Sequence, residues 1–166
     1  MQQHDHRPNI RRMANVCAAS ITTSPTALAS AARGVLEASG EQWTPLRAAV
    51  FASLANFAAP VSAYDVVEAV SSTQGRRLAA TSIYRILDLF TATNLATKVE
   101  SENAFIVNAH PQHRHDCIFL VCDGCGRTNH LDSDDTVDRL RIMATATGFR
   151  VDRPVMELRG RCKDCV

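Results

Sequence analysis

Two Cys-x-x-Cys pairs near the carboxyl end of the sequence constrain its fold more than any other feature. Cys122 pairs with Cys125 and Cys162 pairs with Cys165, and 36 residues separate the two pairs. Each pair can present two thiolates from one tight turn, and four thiolates complete a closed tetrahedral Zn²⁺ site. Such a site has no open coordination position, so a zinc ion bound there is expected to be structural. The spacing suits a strand, a helix and a strand inserted between the pairs.

Other uses of these cysteines stay open. A thioredoxin-like thiol oxidoreductase would use Cys122 and Cys125, but that motif belongs at a helix N-terminus, whereas Gly124 and Gly126 favour a turn. An iron–sulfur cluster and disulfides are further alternatives. Four of the six cysteines fall in the two pairs, a usage that favours a reduced, cytoplasmic protein.

Length and composition narrow the class of protein. The 166 residues are 46% hydrophobic and 21% charged, an ordinary balance for a globular protein. No uninterrupted apolar run reaches the ~18 residues that a membrane-spanning helix needs, so we expect a soluble chain. Residues 1–25 are rich in Ser, Thr, Pro and Asn and predict a flexible tail. A secretion signal is disfavoured because the stretch after Arg12 lacks a leucine-rich block.

The first half of the sequence predicts helices followed by a hairpin. Helices are expected over 26–39, from Pro45 until Pro60 stops the second, from the Ser62 cap to near 75, and over about 80–93. Two short strands, 96–100 and 104–108, follow with a turn between them. The last three helices and the hairpin have the order of a winged helix-turn-helix, whose final helix lies in the DNA major groove.

The second half predicts a small α+β unit that follows a hinge over 109–114. Strands are expected over 116–121, 128–131 and 150–159, with a helix capped by Ser133 and ended by Gly148. Its buried face is predicted to contain Val137, Leu140 and Ala144. We therefore predict a winged-helix DNA-binding domain over 26–108 and a dimerisation and zinc-binding domain over 115–166. A core of about 55 residues is marginal without a metal.

A second group of metal-binding residue types lies around the hinge. His113 and His115 are two residues apart, so they share a face of an extended strand, and His130 follows on a neighbouring predicted strand. His110 and Cys117 are further candidates. Imidazole ligands are displaced more readily than a buried thiolate cage, so this group predicts an exchangeable metal, as in a sensor.

The ordered combination of several short stretches resembles the ferric uptake regulator superfamily, in particular its zinc uptake regulator branch. These stretches are TPLRAAV, SAYDVVEAV, TSIYRILDLF, KVES, HRHDCIFLVCDGCG and RCKDC, and the resemblance covers about residues 27–166. It implies a homodimeric transcriptional repressor that binds double-stranded operator DNA of zinc-uptake genes when zinc fills a regulatory site. One structural and one regulatory Zn²⁺ per subunit are implied, with Cys122, Cys125, Cys162 and Cys165 as the structural ligands.

The regulatory ligands depart from the pattern of that branch. His115 stands at a family ligand position and His130 stands where glutamate is common, whereas Thr97 and Asn108 occupy positions where the zinc branch often has His and Cys. Either His110, His113 or Cys117 supplies the missing donors, or the site is weak or rebuilt. An iron- or peroxide-responsive regulator of the same superfamily is the alternative, although SAYD and KVES favour zinc.

Tyr64 and Arg85 match family positions that read bases, and Arg suits a bidentate contact with guanine. We assign Thr81, Ser82 and Tyr84 to the same DNA-binding surface, at the start of the fourth helix. Bulk charge does not support DNA binding, because residues 26–108 contain six basic and seven acidic side chains. We expect no membrane, no small-molecule substrate and no catalytic residues. A winged-helix protein that binds another protein is the remaining alternative.

Overall fold

The computed structural model of the protein describes residues 24–57, 59–112, 117–132, 134–152 and 154–166. Five α-helices and five β-strands occur in these residues. They are, in chain order, α1 Pro25–Ala38, α2 Pro45–Ala55, α3 Ala63–Gln74, α4 Ala80–Ala92, β1 Ala96–Val99, β2 Ala104–Val107, β3 Cys117–Cys122, β4 Thr128–Asp132, α5 Asp134–Ala146 and β5 Met156–Gly160. The predicted α+β class and the predicted element order are confirmed.

Side-chain caps determine where the first three helices begin. The hydroxyls of Ser24, Thr44 and Ser62 each accept a hydrogen bond from a backbone N–H in the first turn of the helix that follows. Asp65 completes a capping box by accepting from the backbone N–H of Ser62. The prediction that α2 runs to Pro60 is wrong, because the helix already ends at Ala55.

The predicted apolar stripe of α4 lies at the centre of the main core. Ile83, Ile86, Leu87 and Phe90 are all buried. The Phe90 ring packs on the rings of Trp43 and Phe51, with centroids 6.3 and 5.9 Å away. The side chain of Tyr64, in contrast, is 69% exposed. It lies in the first turn of the helix, beside the buried Ala63 and Val66.

Strands β1 and β2 form the predicted hairpin. They pair antiparallel, and a short 3₁₀ turn, Glu100–Glu102, connects them. We call this segment the wing turn. Strand β2 also meets the segment before α3, where the backbone groups of Val61 and Phe105 exchange two hydrogen bonds of 2.9 and 2.8 Å. This bridge holds the hairpin against the helices and completes the winged helix-turn-helix.

The second sheet has the strand order β4-β3-β5, with β3 antiparallel to β4 and parallel to β5. Strand β5 begins at Met156, six residues later than the predicted start at residue 150. Pro154 lies between the predicted and the observed start of β5, and it has no N–H to donate to a strand ladder. The buried face predicted for α5 is only partly right: Val137 is buried, whereas Leu140 is 46% exposed. The predicted Ser133 cap lies outside the described residues.

The hairpin of β1 and β2, which we call the wing, packs on one face of the second sheet. Phe119 and Val121 of β3 form a small apolar cluster with Val99 and Ile106 of the hairpin. The strand register places Glu157 beside Phe119 and Arg159 beside Val121. Since side chains alternate between faces along a strand, these two charged residues lie on the face that meets the wing. None of the described helices is long and apolar enough to cross a membrane.

Candidate metal centre and nucleic-acid surface

The four paired cysteines come together at one end of the second sheet. Strand β3 ends at Cys122 and Cys125 follows in a turn, while Cys162 and Cys165 lie in the turn after β5. Because β3 and β5 are parallel neighbours, both turns lie at the same edge of the sheet. The four Sγ atoms lie within 4.8 Å of one another. The predicted cluster is therefore present, and among the described residues it is the one group of three or more potential ligands that is close enough to hold a metal ion.

The spacing of these sulfur atoms fits tetrahedral zinc. Zn–S bonds of about 2.3 Å at tetrahedral angles place the sulfur atoms about 3.8 Å apart. The Sγ atoms of Cys125 and Cys162 are 3.8 Å apart. Each motif is folded as a turn, closed by the N–H of Gly126 on the carbonyl of Cys122 and by the N–H of Cys165 on the carbonyl of Cys162, both at 2.9 Å. The helix N-terminus that a thioredoxin-like pair requires is absent from this described segment, since α5 begins at Asp134.

Gly124 permits the close approach of the two turns. A Cβ atom at this position would lie 2.9 Å from Cβ and 3.1 Å from Sγ of Cys165. The first of these distances is shorter than real Cβ contacts, so a larger residue would displace Cys165. A glycine inside the first motif is thus required by the packing of the second.

The thiols influence one another's protonation. The pKa of Cys122 is lowered to about 6, first because the backbone N–H of Cys162 donates to its sulfur at 3.3 Å. The pKa of Cys165 is raised to about 12, chiefly because its thiol is hydrogen-bonded to Cys162. Four adjacent thiols cannot all ionise without a cation to compensate them. Metal binding by this cluster must therefore release protons.

The structure gives less information about the predicted second metal site. His113 and His115 lie outside the described residues. Cys117 and His130 lie on paired strands, with Cys117 opposite Asp132 and His130 opposite Phe119. Cys117 therefore lies two positions along β3 from the residue that pairs with His130. His110 follows β2, and its backbone N–H donates to Oδ1 of Asn108 at 2.9 Å. The regulatory ligand set stays a prediction.

Asn108 has a structural role in this chain. Its side chain is buried, and its Nδ2 donates to the carbonyl of Asn94 at 3.0 Å while its Oδ1 accepts from His110. The Nδ2 of Asn94 in turn donates to the carbonyl of Pro111 at 3.1 Å. These amides tie the end of the hairpin to the turn after α4, and Asn108 is one of the residues that depart from the ligand pattern of the zinc branch.

The residues assigned to DNA form an exposed surface. Thr81, Ser82 and Arg85 are exposed on the N-terminal half of α4, and Tyr64 extends from the start of α3. The Tyr64 ring meets the partly buried Tyr84 ring edge to face, with centroids 6.1 Å apart. Desolvation, followed by the effect of Tyr64, raises the pKa of Tyr84. Tyr84 therefore supports Tyr64, and the other four side chains are available to a ligand.

Sequence reasoning missed Glu157 and Arg159, which connect the second sheet to the wing turn. The carboxylate of Glu157 accepts from the backbone N–H groups of Glu100 and Ser101. Arg159 contacts both Glu102 and Asp123. The sequence did contain a signal: these two charged residues lie two positions apart in a predicted strand, and the residue between them is apolar. This pattern places both charges on one face of the strand.

The fold and the cysteine cluster together define a winged-helix transcription regulator with a metal-binding C-terminal unit. The ferric uptake regulator family model matches residues 38–159. The chain belongs to the ferric uptake regulator family. Members of this family regulate transcription and are not enzymes.

Within the family, the chain is similar to several zinc uptake regulators. The chain is 27% identical over 124 residues to the zinc uptake regulation protein of Escherichia coli, covering 74% of this chain and 72% of that protein. It is 33% identical to holo XcZur, whose crystal structure superposes with a TM-score of 0.74 over 82% of this chain and 95% of that chain. A zinc uptake regulator complexed with zinc and DNA shares the fold, with 24% identity and a TM-score of 0.80 over 86% and 95% of the two chains. The predicted resemblance to the zinc uptake branch is thereby confirmed.

Proposed function

We propose that this protein is a zinc-responsive repressor that binds operator DNA of zinc-uptake genes as a zinc-loaded dimer. The observation that carries the proposal is the combination of a cluster of four cysteines with an exposed polar surface at the start of α4 in one chain of this family. The relatives named above are zinc uptake regulators. Iron or peroxide sensing is the competing function within the family.

The cysteine cluster supplies the structural zinc site of this proposal. Cys122, Cys125, Cys162 and Cys165 would hold one ion in a closed sphere of four sulfur atoms. A metal bound there would link the turn after β3 to the turn after β5 through its coordination bonds, and it would stabilise the small sheet. Its binding free energy would contribute directly to the folding of this unit.

The surface on α4 supplies the DNA contacts. The exposed guanidinium of Arg85 suits a bidentate contact with guanine, and Thr81 and Ser82 offer short hydroxyl groups near the helix start. Tyr64, supported by Tyr84, adds an aromatic ring with a hydroxyl group. Arg76 and Arg77, exposed in the loop before α4, are placed to contact phosphates.

Exposed apolar side chains of the second unit support a dimer. Val137 is the one buried residue among the described side chains of α5, whereas Leu140 and Met143 on the same side of the helix are 46% and 66% exposed. Phe149 and Leu158 are 64% and 60% exposed. A second copy of the chain would cover these side chains, and two winged helices at fixed separation would then bind two half-sites.

The regulatory site of the proposal uses nitrogen donors near the hinge. His115 and His130 are its principal ligands, and His110, His113 and Cys117 are the candidates for the remaining positions. Neutral imidazole binds Zn²⁺ well, and a site at the hinge can bias the orientation of the winged helix.

Zinc-titrated DNA binding tests the proposal. The probe is a duplex selected from a random pool by the zinc-loaded protein, and a scrambled duplex of the same composition is the control. Fluorescence anisotropy at physiological salt should show zinc-dependent binding to the selected duplex only. Equal affinity for both duplexes, or binding that is indifferent to zinc but responds to Fe²⁺, would contradict the proposal.

A His115→Ala variant locates the switch. We expect it to keep one zinc ion per chain and its circular dichroism spectrum but to lose the zinc response of DNA binding. An unchanged titration would remove His115 from the regulatory site. An insulin-reduction assay on the same preparations separates the proposal from a thiol oxidoreductase, which would show turnover.

A further inference from the structure

The wing turn is attached to the second sheet by a carboxylate from β5. The side chain of Glu157 accepts hydrogen bonds from the backbone N–H groups of Glu100 at 2.6 Å and Ser101 at 3.1 Å. The partners lie 57 and 56 residues apart in the chain, so this contact joins the two halves of the fold. Desolvation opposes ionisation, but the hydrogen bonds from Ser101 and Glu100 prevail and lower the pKa of Glu157. The carboxylate is thus held in its charged form by the wing turn.

A second side chain from β5 extends the contact. The Nη1 atom of Arg159 lies 2.9 Å from Oε1 of Glu102 in the wing turn. The Nε and Nη2 atoms of the same guanidinium donate to Oδ1 of Asp123 at 2.8 and 2.6 Å. Asp123 lies inside the first Cys-x-x-Cys motif, so Arg159 joins the wing turn to the cysteine cluster.

The apolar cluster beneath these contacts fixes their position. Val99, at the end of β1, is fully buried and packs with Phe119 and Val121 of β3. An exposed ion pair contributes little to stability, whereas hydrogen bonds to a charged group contribute more. Because Glu157 makes two such bonds beside a buried cluster, it is the stronger of the two polar contacts.

The contact also explains the acidic charge of the winged helix. Two of its seven acidic residues, Glu100 and Glu102, lie in the wing turn. Glu100 pairs with Lys98 at 2.8 Å, and Glu102 pairs with Arg159. Lys98 is already among the six basic residues of the winged helix, but Arg159 lies outside it, so the pairing of Arg159 with Glu102 adds a positive charge that the net charge of −1 does not count.

We propose that Glu157 and Arg159 are positioning residues that hold the wing turn on the second sheet and thereby set the orientation of α4 toward DNA. This proposal rests on the proposed function. It assigns Glu102 a role as the wing-side partner of the contact. None of these three residues needs to touch DNA or the regulatory metal.

Charge-neutralising variants test this proposal, because the loss of a negative charge and the loss of positioning change the affinity for DNA in opposite directions. Glu157→Gln and Glu102→Gln each remove one negative charge, which by itself strengthens DNA binding. Loss of positioning weakens it. For the zinc-loaded protein and the selected duplex, we expect affinity to fall about fivefold to tenfold, equivalent to ~1–1.4 kcal/mol.

Asp152→Asn is the matched control. It removes the same charge, from the same half of the chain as Glu157, and Asp152 pairs with Arg150, two residues away at 2.8 Å. We expect its DNA affinity to equal or slightly exceed that of the wild type. If Glu157→Gln and Glu102→Gln bind DNA as tightly as this control does, the positioning role is refuted.

Amide hydrogen exchange supplies a readout that does not depend on DNA. In Glu157→Gln, the amides of Glu100 and Ser101 should exchange about tenfold faster, while the amides of α4 keep their protection. Small-angle scattering should show a larger radius of gyration. Unchanged exchange and scattering would overturn the proposal even if the wild type failed to bind DNA, a failure that would count against the proposed function alone.

Discussion

The cysteine cluster should be sensitive to a single methyl group at Gly124. In Gly124→Ala the new Cβ atom would lie 2.9 Å from Cβ of Cys165, whereas ordinary contacts begin at 3.4 Å. Cys165 or the turn that contains Gly124 must therefore move by at least about half an ångström. Zn–S distances tolerate only about ±0.2 Å, so this displacement cannot be absorbed within an undistorted site.

We expect the affinity for zinc to fall about tenfold to hundredfold, as it does when groups that orient metal ligands are altered, which corresponds to ~1.4–2.8 kcal/mol. Competition with a chromophoric zinc chelator, on reduced protein under anaerobic conditions, measures this change. The thermal unfolding midpoint of the zinc-loaded variant should fall with it.

Gly160→Ala is the control for this experiment. Gly160 lies in β5 near the cluster, and a Cβ atom there would meet no atom within 4 Å. Its zinc affinity should match that of the wild type. If Gly124→Ala also binds zinc within twofold of the wild type, the close approach of the two turns does not constrain the site and the reasoning is wrong.

Three further changes test the core, the dimer and the DNA surface. Phe90→Ala should lower the free energy of unfolding by about 3–5 kcal/mol in chemical denaturation, because its ring is fully buried in the aromatic cluster, whereas Ile142→Ala, at a position 68% exposed, should change it little. Leu140→Asp should shift the protein toward monomer in sedimentation equilibrium. Thr145→Asp, a change at another exposed position of α5, should not. Identical behaviour of the two variants would argue against an interface on α5. Arg85→Ala should cost about 1–3 kcal/mol on the selected duplex in anisotropy titrations and much less on a scrambled one; equal losses on both would make Arg85 a phosphate contact.

Local signals made the winged helix predictable. Ser62 and Asp65 form the capping box that their spacing indicates, and the stripe that ends at Phe90 is buried as its period requires. The cysteine cluster was predictable for a similar reason. Two short motifs each specify a turn, and only the distance between the turns has to come from tertiary structure.

Contacts between distant segments were not predictable from one sequence. The helical period of α5 does not reveal that Leu140 is left uncovered, because an apolar residue that stays exposed has the same pattern as a core residue. Glu157 has an ordinary sequence context, and its role appears only when the strand register brings it to the wing turn. Pro154 was visible in the sequence, but its effect on the start of β5 depends on which backbone N–H groups of this strand pair with β3.

The hydrogen bonds of Asn108 have a consequence for how this position can change in evolution. The amide connects Asn94 to His110, and a cysteine at position 108 would lose both bonds and leave the carbonyl of Asn94 without this donor. A mutational path from Asn108 to a metal-binding cysteine at this position therefore passes through a less stable intermediate, unless a compensating donor is acquired first. Residue 108 can therefore change readily only together with a second substitution that supplies the lost hydrogen bonds.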